Sequence, residues 1–248
     1  MSKRLKKNWE KITESIYNAA KLLETFGYAG YLGSAYILSS LAYFYFLNPK
    51  MDKHDEEQAL KFVRNAQIMG YFGGSTDTKL SIIAHSIKEA RTFEAFNHNL
   101  AKHETNPLKI TNDAIEGMVF FDRPARVFPI LQILYPNLNC KINTFHIDHI
   151  YPKSKFKKEN EKLDKDFCGN HLFNLQLLEG AENQAKKDKD PESWLKEEYK
   201  DERAIEEYKK RNYIDPTLKL EWENIKEFRE KREEAIITKL KEVLLPKS

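Results

Sequence analysis

Apolar residues recur at steps of three and four near the start of the chain: Trp9, Ile12, Ile16, Ala19, Leu22 and Leu23. That spacing predicts an amphipathic helix. A second helix is predicted from Tyr31 to Leu47, stopped by Asn48-Pro49, and a third from Asp55 to Met69. The glycines of Gly70 to Ser75 mark a turn, and Asp77 opens a further helix running to about Ala101. Phe128 to Leu134 is a short apolar segment ahead of Pro136.

The period changes at Thr144. TFHIDHI has β-branched and aromatic residues in near alternation, which suits a short strand ended by Tyr151-Pro152. A lysine-rich loop is expected from Lys153 to Lys165. LFNLQLL, Leu172 to Leu178, is a second strand candidate, and Gly180 leads into a helix, AENQAKK. After Pro191 the chain returns to helix, and Trp222, Ile225, Phe228, Ala235, Ile236, Leu240 and Val243 mark one apolar face of a long charged helix.

These elements predict a mainly α protein: a helical domain with an embedded strand–loop–strand–helix unit. The expected division is a helical domain over 1–138 and a second part over 139–248, whose core of 144–190 is followed by C-terminal helices. The 248 residues are enough for one large domain or two smaller ones. Hydrophobic residues at 41% provide for a packed core.

Charge narrows the function classes only slightly. The net charge of +3 excludes a histone-like polycation but leaves room for a local basic patch on a nearly neutral body. Two cysteines, Cys140 and Cys168, make no disulfide framework and fit a reducing cytosol, so a cytoplasmic protein is expected. The basic N-terminus lacks the apolar stretch of a secretory signal. Thr25 to Pro49 is uncharged and long enough to span a bilayer, but its three glycines and five tyrosines favour a buried helix instead. No membrane association is expected.

The chemistry concentrates around Asp148. Hydrolysing a phosphodiester requires deprotonating a water, neutralising charge in the transition state and stabilising the leaving oxygen. Asp148 offers a carboxylate to a metal, and His149, with an ordinary pKa of roughly 6.5, can act as general base. Asn183 offers an amide oxygen. Lys186, three residues on and on the same helical face, can meet phosphate. Asn174, on the second strand, can hold the loop that carries His149. His146 lies two residues before Asp148, on the same face of a regular strand, and is a further candidate ligand.

The strings DHIYPKS and FNLQLLEGAENQAKK resemble the HNH, or ββα-metal, nuclease motif, and in particular the HNH domain of GmrSD-type modification-dependent restriction enzymes. The likeness is strongest over residues 145–190. GYFGGSTDTKL and FPILQILYP extend it more weakly upstream. The resemblance implies that Asp148 and Asn183 ligate Mg²⁺ or Mn²⁺, that His149 is the base and that Asn174 is the structural asparagine of the motif. It also implies a DNA endonuclease acting in restriction or anti-phage defence. The nucleotide-hydrolysing domain that often accompanies such nucleases has no counterpart string here. The chain therefore resembles the nuclease half alone, either as a fragment or as one subunit of a split system whose partner would be a separate nucleotide-hydrolysing subunit.

Two other readings remain open at this point: an inactive nucleic-acid-binding or regulatory subunit, and an RNase. Lys153 to Lys165 holds six lysines against three acids. Together with Lys187, its Lys153, Lys155, Lys157 and Lys158 are candidates for a phosphate-binding rim, against the plainer reading of a solvated face. Cys168 and His171, with Cys140 and His146, contain the right atoms for zinc. The absence of paired CxxC motifs argues against a structural zinc. His54, His85, His98 and His103 lie in helical context and are assigned no chemistry.

Overall fold

The structure, a computed structural model, describes residues 6–74, 76–103, 108–138, 145–158, 167–179, 186 and 188–245, the side chains of Lys157 and Lys158 excepted. The described residues are mainly helical, with one two-stranded antiparallel sheet among them. The chain forms two compact units, Met1–Lys109 and Ile110–Ser248. The division expected at 138/139 falls inside the second unit, because residues 110–134 pack on the C-terminal helix.

The first unit is built from α1 (Trp9–Thr25), α2 (Ala35–Leu47), α3 (Lys53–Ile68), α4 (Thr76–Lys88) and α5 (Phe93–Ala101). Side-chain caps start several of these helices: Ser34 accepts from the Tyr36 amide, Asp52 from Asp55 and Thr92 from Ala95. The single helix expected from Asp77 to Ala101 is thus two, since Thr92 in extended conformation restarts the chain as α5. Buried Asp55 also accepts from the Phe93 amide at 2.6 Å, tying α3 to the start of α5. Phe44, Phe62, Phe93 and Phe96 form the aromatic centre of this unit, with Phe62 edge-on to Phe96 at 5.2 Å. The uncharged segment from Thr25 yields only the 13-residue α2. No helix among the described residues is long and apolar enough to cross a membrane.

The second unit begins with α6 (Asn112–Gly117), a 3₁₀ turn at Met118–Phe120 and α7 (Pro124–Leu134). Then come β1 (Phe145–His149), α8 (Lys153–Lys158), a 3₁₀ turn (Leu172–Asn174) and β2 (Leu175–Glu179). It closes with α9 (Pro191–Glu198), α10 (Glu202–Arg211), a 3₁₀ turn (Trp222–Asn224) and α11 (Ile225–Leu244). Asp190 and Asp201 cap α9 and α10, and Pro191 takes the first position of α9, where a missing N–H costs nothing.

Two expectations need correcting here. The segment after Pro152 starts as a helix, not a loop, because Phe156 turns inward against Phe167, Phe173 and Trp222 while the lysines flank it. Asn174 lies on the 3₁₀ turn just ahead of β2 and not on the strand itself. Tyr151, Phe173, Trp194, Tyr208 and Phe228 belong to one aromatic-rich core beneath the sheet.

Candidate active site

β1 ends on the pair Asp148-His149. The register sets Asp148 opposite Gln176 and His149 opposite Leu175, so the two neighbours leave the strand on opposite faces. Gln176 and Leu178, on the Asp148 face, are buried, whereas His146, nearer the start of the strand, is exposed.

The Asp148 carboxylate is held by one oxygen. Its Oδ2 accepts from Lys186 Nζ at 2.6 Å and from Gln176 Nε2 at 3.0 Å. Gln176 Oε1 in turn accepts from the Tyr208 hydroxyl at 2.7 Å. Lys186, helical and only 1% exposed, also donates to the His149 carbonyl and lies 5.7 Å from the Trp194 ring centroid. Burial lowers its pKa, and the Asp148 charge opposes that shift. A buried ammonium needs such a partner, since an unpaired charge in this environment is strongly disfavoured. Lys186, expected on a phosphate-facing surface, therefore turns inward.

Half-buried His149 faces a different neighbourhood. Its Nε2 lies 3.0 Å from Asn170 Oδ1. Because that oxygen can only accept, the contact places the imidazole hydrogen on Nε2 and leaves the Nδ1 lone pair as the basic site. Burial lowers the His149 pKa; the Asn170 contact and the Asp148 charge raise it, and Lys186 and Lys153 lower it. The net shift is downward, which favours the neutral ring that a proton acceptor requires.

Asn174 is fully buried and works on the backbone. Its Oδ1 accepts from the Tyr151 amide, while Nδ2 donates to the carbonyls of Tyr151 and Gly169. Its own carbonyl accepts from the Ile150 amide at 2.8 Å. It braces the chain just after His149 and the Cys168–Asn170 turn, without touching the imidazole. Buried Arg232 of α11 secures the 3₁₀ turn that carries Asn174, donating to the carbonyls of Leu172, Phe173, Leu175 and Asn212.

Lys153 is exposed. Lys155 is half-buried, 3.4 Å from Asp190 and 5.4 Å from the Trp222 ring centroid. Lys157 and Lys158 lie on α8, while Asn183, Lys187 and Cys140 lie outside the described residues. Among the described residues no three His, Cys, Asp or Glu side chains converge. Asp148 nonetheless has the chemistry a hard divalent cation prefers: an anionic oxygen ligand, 14% exposed, with Oδ1 taking no hydrogen bond among the described residues.

Sequence reasoning missed Asn170, Gln176 and Tyr208. Asn170 sits in Cys168-Gly-Asn-His171, a turn-forming string ahead of the second strand, which is the one local signal it carries. Gln176 carries the alternation signal of a buried polar residue within an apolar strand, facing Asp148 once the register is known.

Fold and site together define a mainly helical protein whose small ββα-type unit presents an Asp–His pair at a strand end. The family model for the C-terminal domain of GmrSD restriction endonucleases matches residues 92–240, more than half of the chain, and the protein belongs to that family. No curated protein matches it in sequence.

Proposed function

We propose that this protein is a divalent-cation-dependent endonuclease that cuts DNA, with His149 as its general base. The observation that carries the reading is the His149–Asn170 contact, which leaves Nδ1 of the imidazole as its basic site, within electrostatic reach of the Asp148 carboxylate. Nδ1 takes the proton of the attacking water while Asn170 keeps the ring from rotating. Asn174 holds the backbone that carries the base, so the ring meets its substrate without a reorganisation cost. Asp148 and Asn183 would hold Mg²⁺ or Mn²⁺, which would supply positive charge to the phosphoryl and leaving oxygens.

Exposed Lys153, close enough to His149 to act on it electrostatically, supports a polyanionic substrate at this rim. Membership of a restriction endonuclease family favours DNA over RNA and a role in defence against foreign DNA. A separate nucleotide-hydrolysing subunit is the partner this reading assigns.

The test is plasmid nicking with Mg²⁺ or Mn²⁺, an EDTA control, and a matched RNA. The wild-type chain is expected to cut DNA only with the cation, and His149→Ala to keep its fold and lose turnover. Equal cutting by His149→Ala, or cutting of RNA alone, rejects the reading.

A further inference from the structure

Asp148 bears two hydrogen bonds on the same oxygen, and both donors are buried: Lys186 at 1% and Gln176 at 0% exposure. Both bonds fall on Oδ2, and among the described residues none reaches Oδ1. The Lys186 ammonium reaches two consecutive residues at once, the Asp148 carboxylate and the His149 carbonyl. Gln176 is itself fixed by the Tyr208 hydroxyl, on α10, so neither clasp on Asp148 is free to swing. A solvated lysine on a binding rim has no reason to be buried in this way, and a lysine serving only stability has no need to span the acid and the base of one site.

We propose that Lys186 is a positioning residue: an internal counter-ion that, with Gln176, holds Asp148 by Oδ2. Asp148 therefore presents Oδ1 as its single donor to a divalent cation, and Lys186 orients the His149 backbone at the same time. This rests on the endonuclease reading of the same site. The arrangement has a consequence of definite sign. A positive charge 2.6 Å from the carboxylate weakens its attraction for a second cation. The protein thus holds an ordered Asp148 before the cation arrives and binds that cation less tightly than an unpaired carboxylate would.

The first measurement needs neither cation nor substrate. Urea unfolding in EDTA is compared for the wild type, Lys186→Met, Asp148→Asn and the double variant. Removing one partner of a buried pair is expected to raise the unfolding constant at least about 100-fold, with the double variant far less affected than the two single effects combined. Additive effects overturn the proposal.

The second measurement is Mn²⁺ binding by electron paramagnetic resonance, read beside turnover at saturating Mn²⁺. Lys186→Met is expected to bind Mn²⁺ several-fold more tightly, yet to cut at least about tenfold more slowly. Lys186→Arg, which keeps the charge but not the shape, is expected to leave Mn²⁺ affinity near wild type and still slow turnover. Weaker Mn²⁺ binding by a folded Lys186→Met, or an unchanged cutting rate, overturns the assignment. A wild-type chain that neither binds Mn²⁺ nor cuts rejects the endonuclease reading instead, and the coupling in EDTA then judges the Lys186–Asp148 pairing alone.

Discussion

Asn174 grips the peptide groups of Tyr151 from both sides: its Oδ1 accepts from the Tyr151 amide at 2.8 Å and its Nδ2 donates to the Tyr151 carbonyl at 2.9 Å. The same amide nitrogen donates to the Gly169 carbonyl at 2.9 Å. One fully buried side chain thereby fastens the residues that follow His149 to the turn that carries Asn170, and so sets the distance between base and tether.

Asn174→Ala leaves the Tyr151 amide and two carbonyls without their partner in a dry environment. A loss of about 3 kcal/mol is expected from urea unfolding, with a fall in turnover beyond what the unfolded fraction explains. Asn174→Asp keeps the acceptor but loses both donated bonds, and is expected to recover only part of that stability. Wild-type stability in the alanine variant would contradict the bracing role.

The pH dependence has a definite sign. Burial holds the His149 pKa below its ordinary 6.5, so the neutral, active ring persists to lower pH than for a solvated histidine. The acidic limb of kcat/KM is expected to have its midpoint below 6.5. Stability follows the same ring. Between the folded pKa and 6.5 the unfolded chain binds more protons, so His149 withdraws stability as pH falls through that window. Asn170→Asp, placing a carboxylate against the imidazolium, should move the limb upward. A limb that stays still in that variant would remove Asn170 from the site.

Arg232 is buried and donates to four main-chain carbonyls. Arg232→Leu removes all those donors while leaving an apolar side chain in the space. A destabilisation of about 3–5 kcal/mol is expected in chemical denaturation. Its site effect is expected through the Leu172–Leu175 turn: His149 should be retained, but amide hydrogen exchange at Ile150 and Tyr151 should quicken.

Gly169 is a packing constraint. A Cβ there would stand 2.6 Å from the Phe156 ring, closer than any real contact. Gly169→Ala is expected to cost about 1–3 kcal/mol as the ring is displaced. Gly169→Ala with Phe156→Leu should recover part of the loss, and calorimetric melting of both variants measures it. A neutral Gly169→Ala would show that the α8 packing yields freely.

Hydrophobic period, helix caps and turn residues act within a few positions of themselves, and these were readable from the chain alone. The helices over Trp9–Thr25, Ala35–Leu47 and Ile225–Leu244 and the two strands follow from them, as does the Asp148-His149 pair at a strand end. Local signals failed where a single residue changed the outcome: Thr92 splitting one expected helix into two, or Phe156 drawing a lysine-rich segment into a helix against Trp222. Tertiary structure alone decided which polar groups meet. His149 and Asn170 are 21 residues apart, Asp148 and Lys186 are 38 apart, and Arg232 reaches the 3₁₀ turn across about 60. Whether Lys186 faces solvent or Asp148 depends on the volume left by Trp194 and on a buried ammonium needing a counter-charge. Neither condition exists until the chain has folded around it.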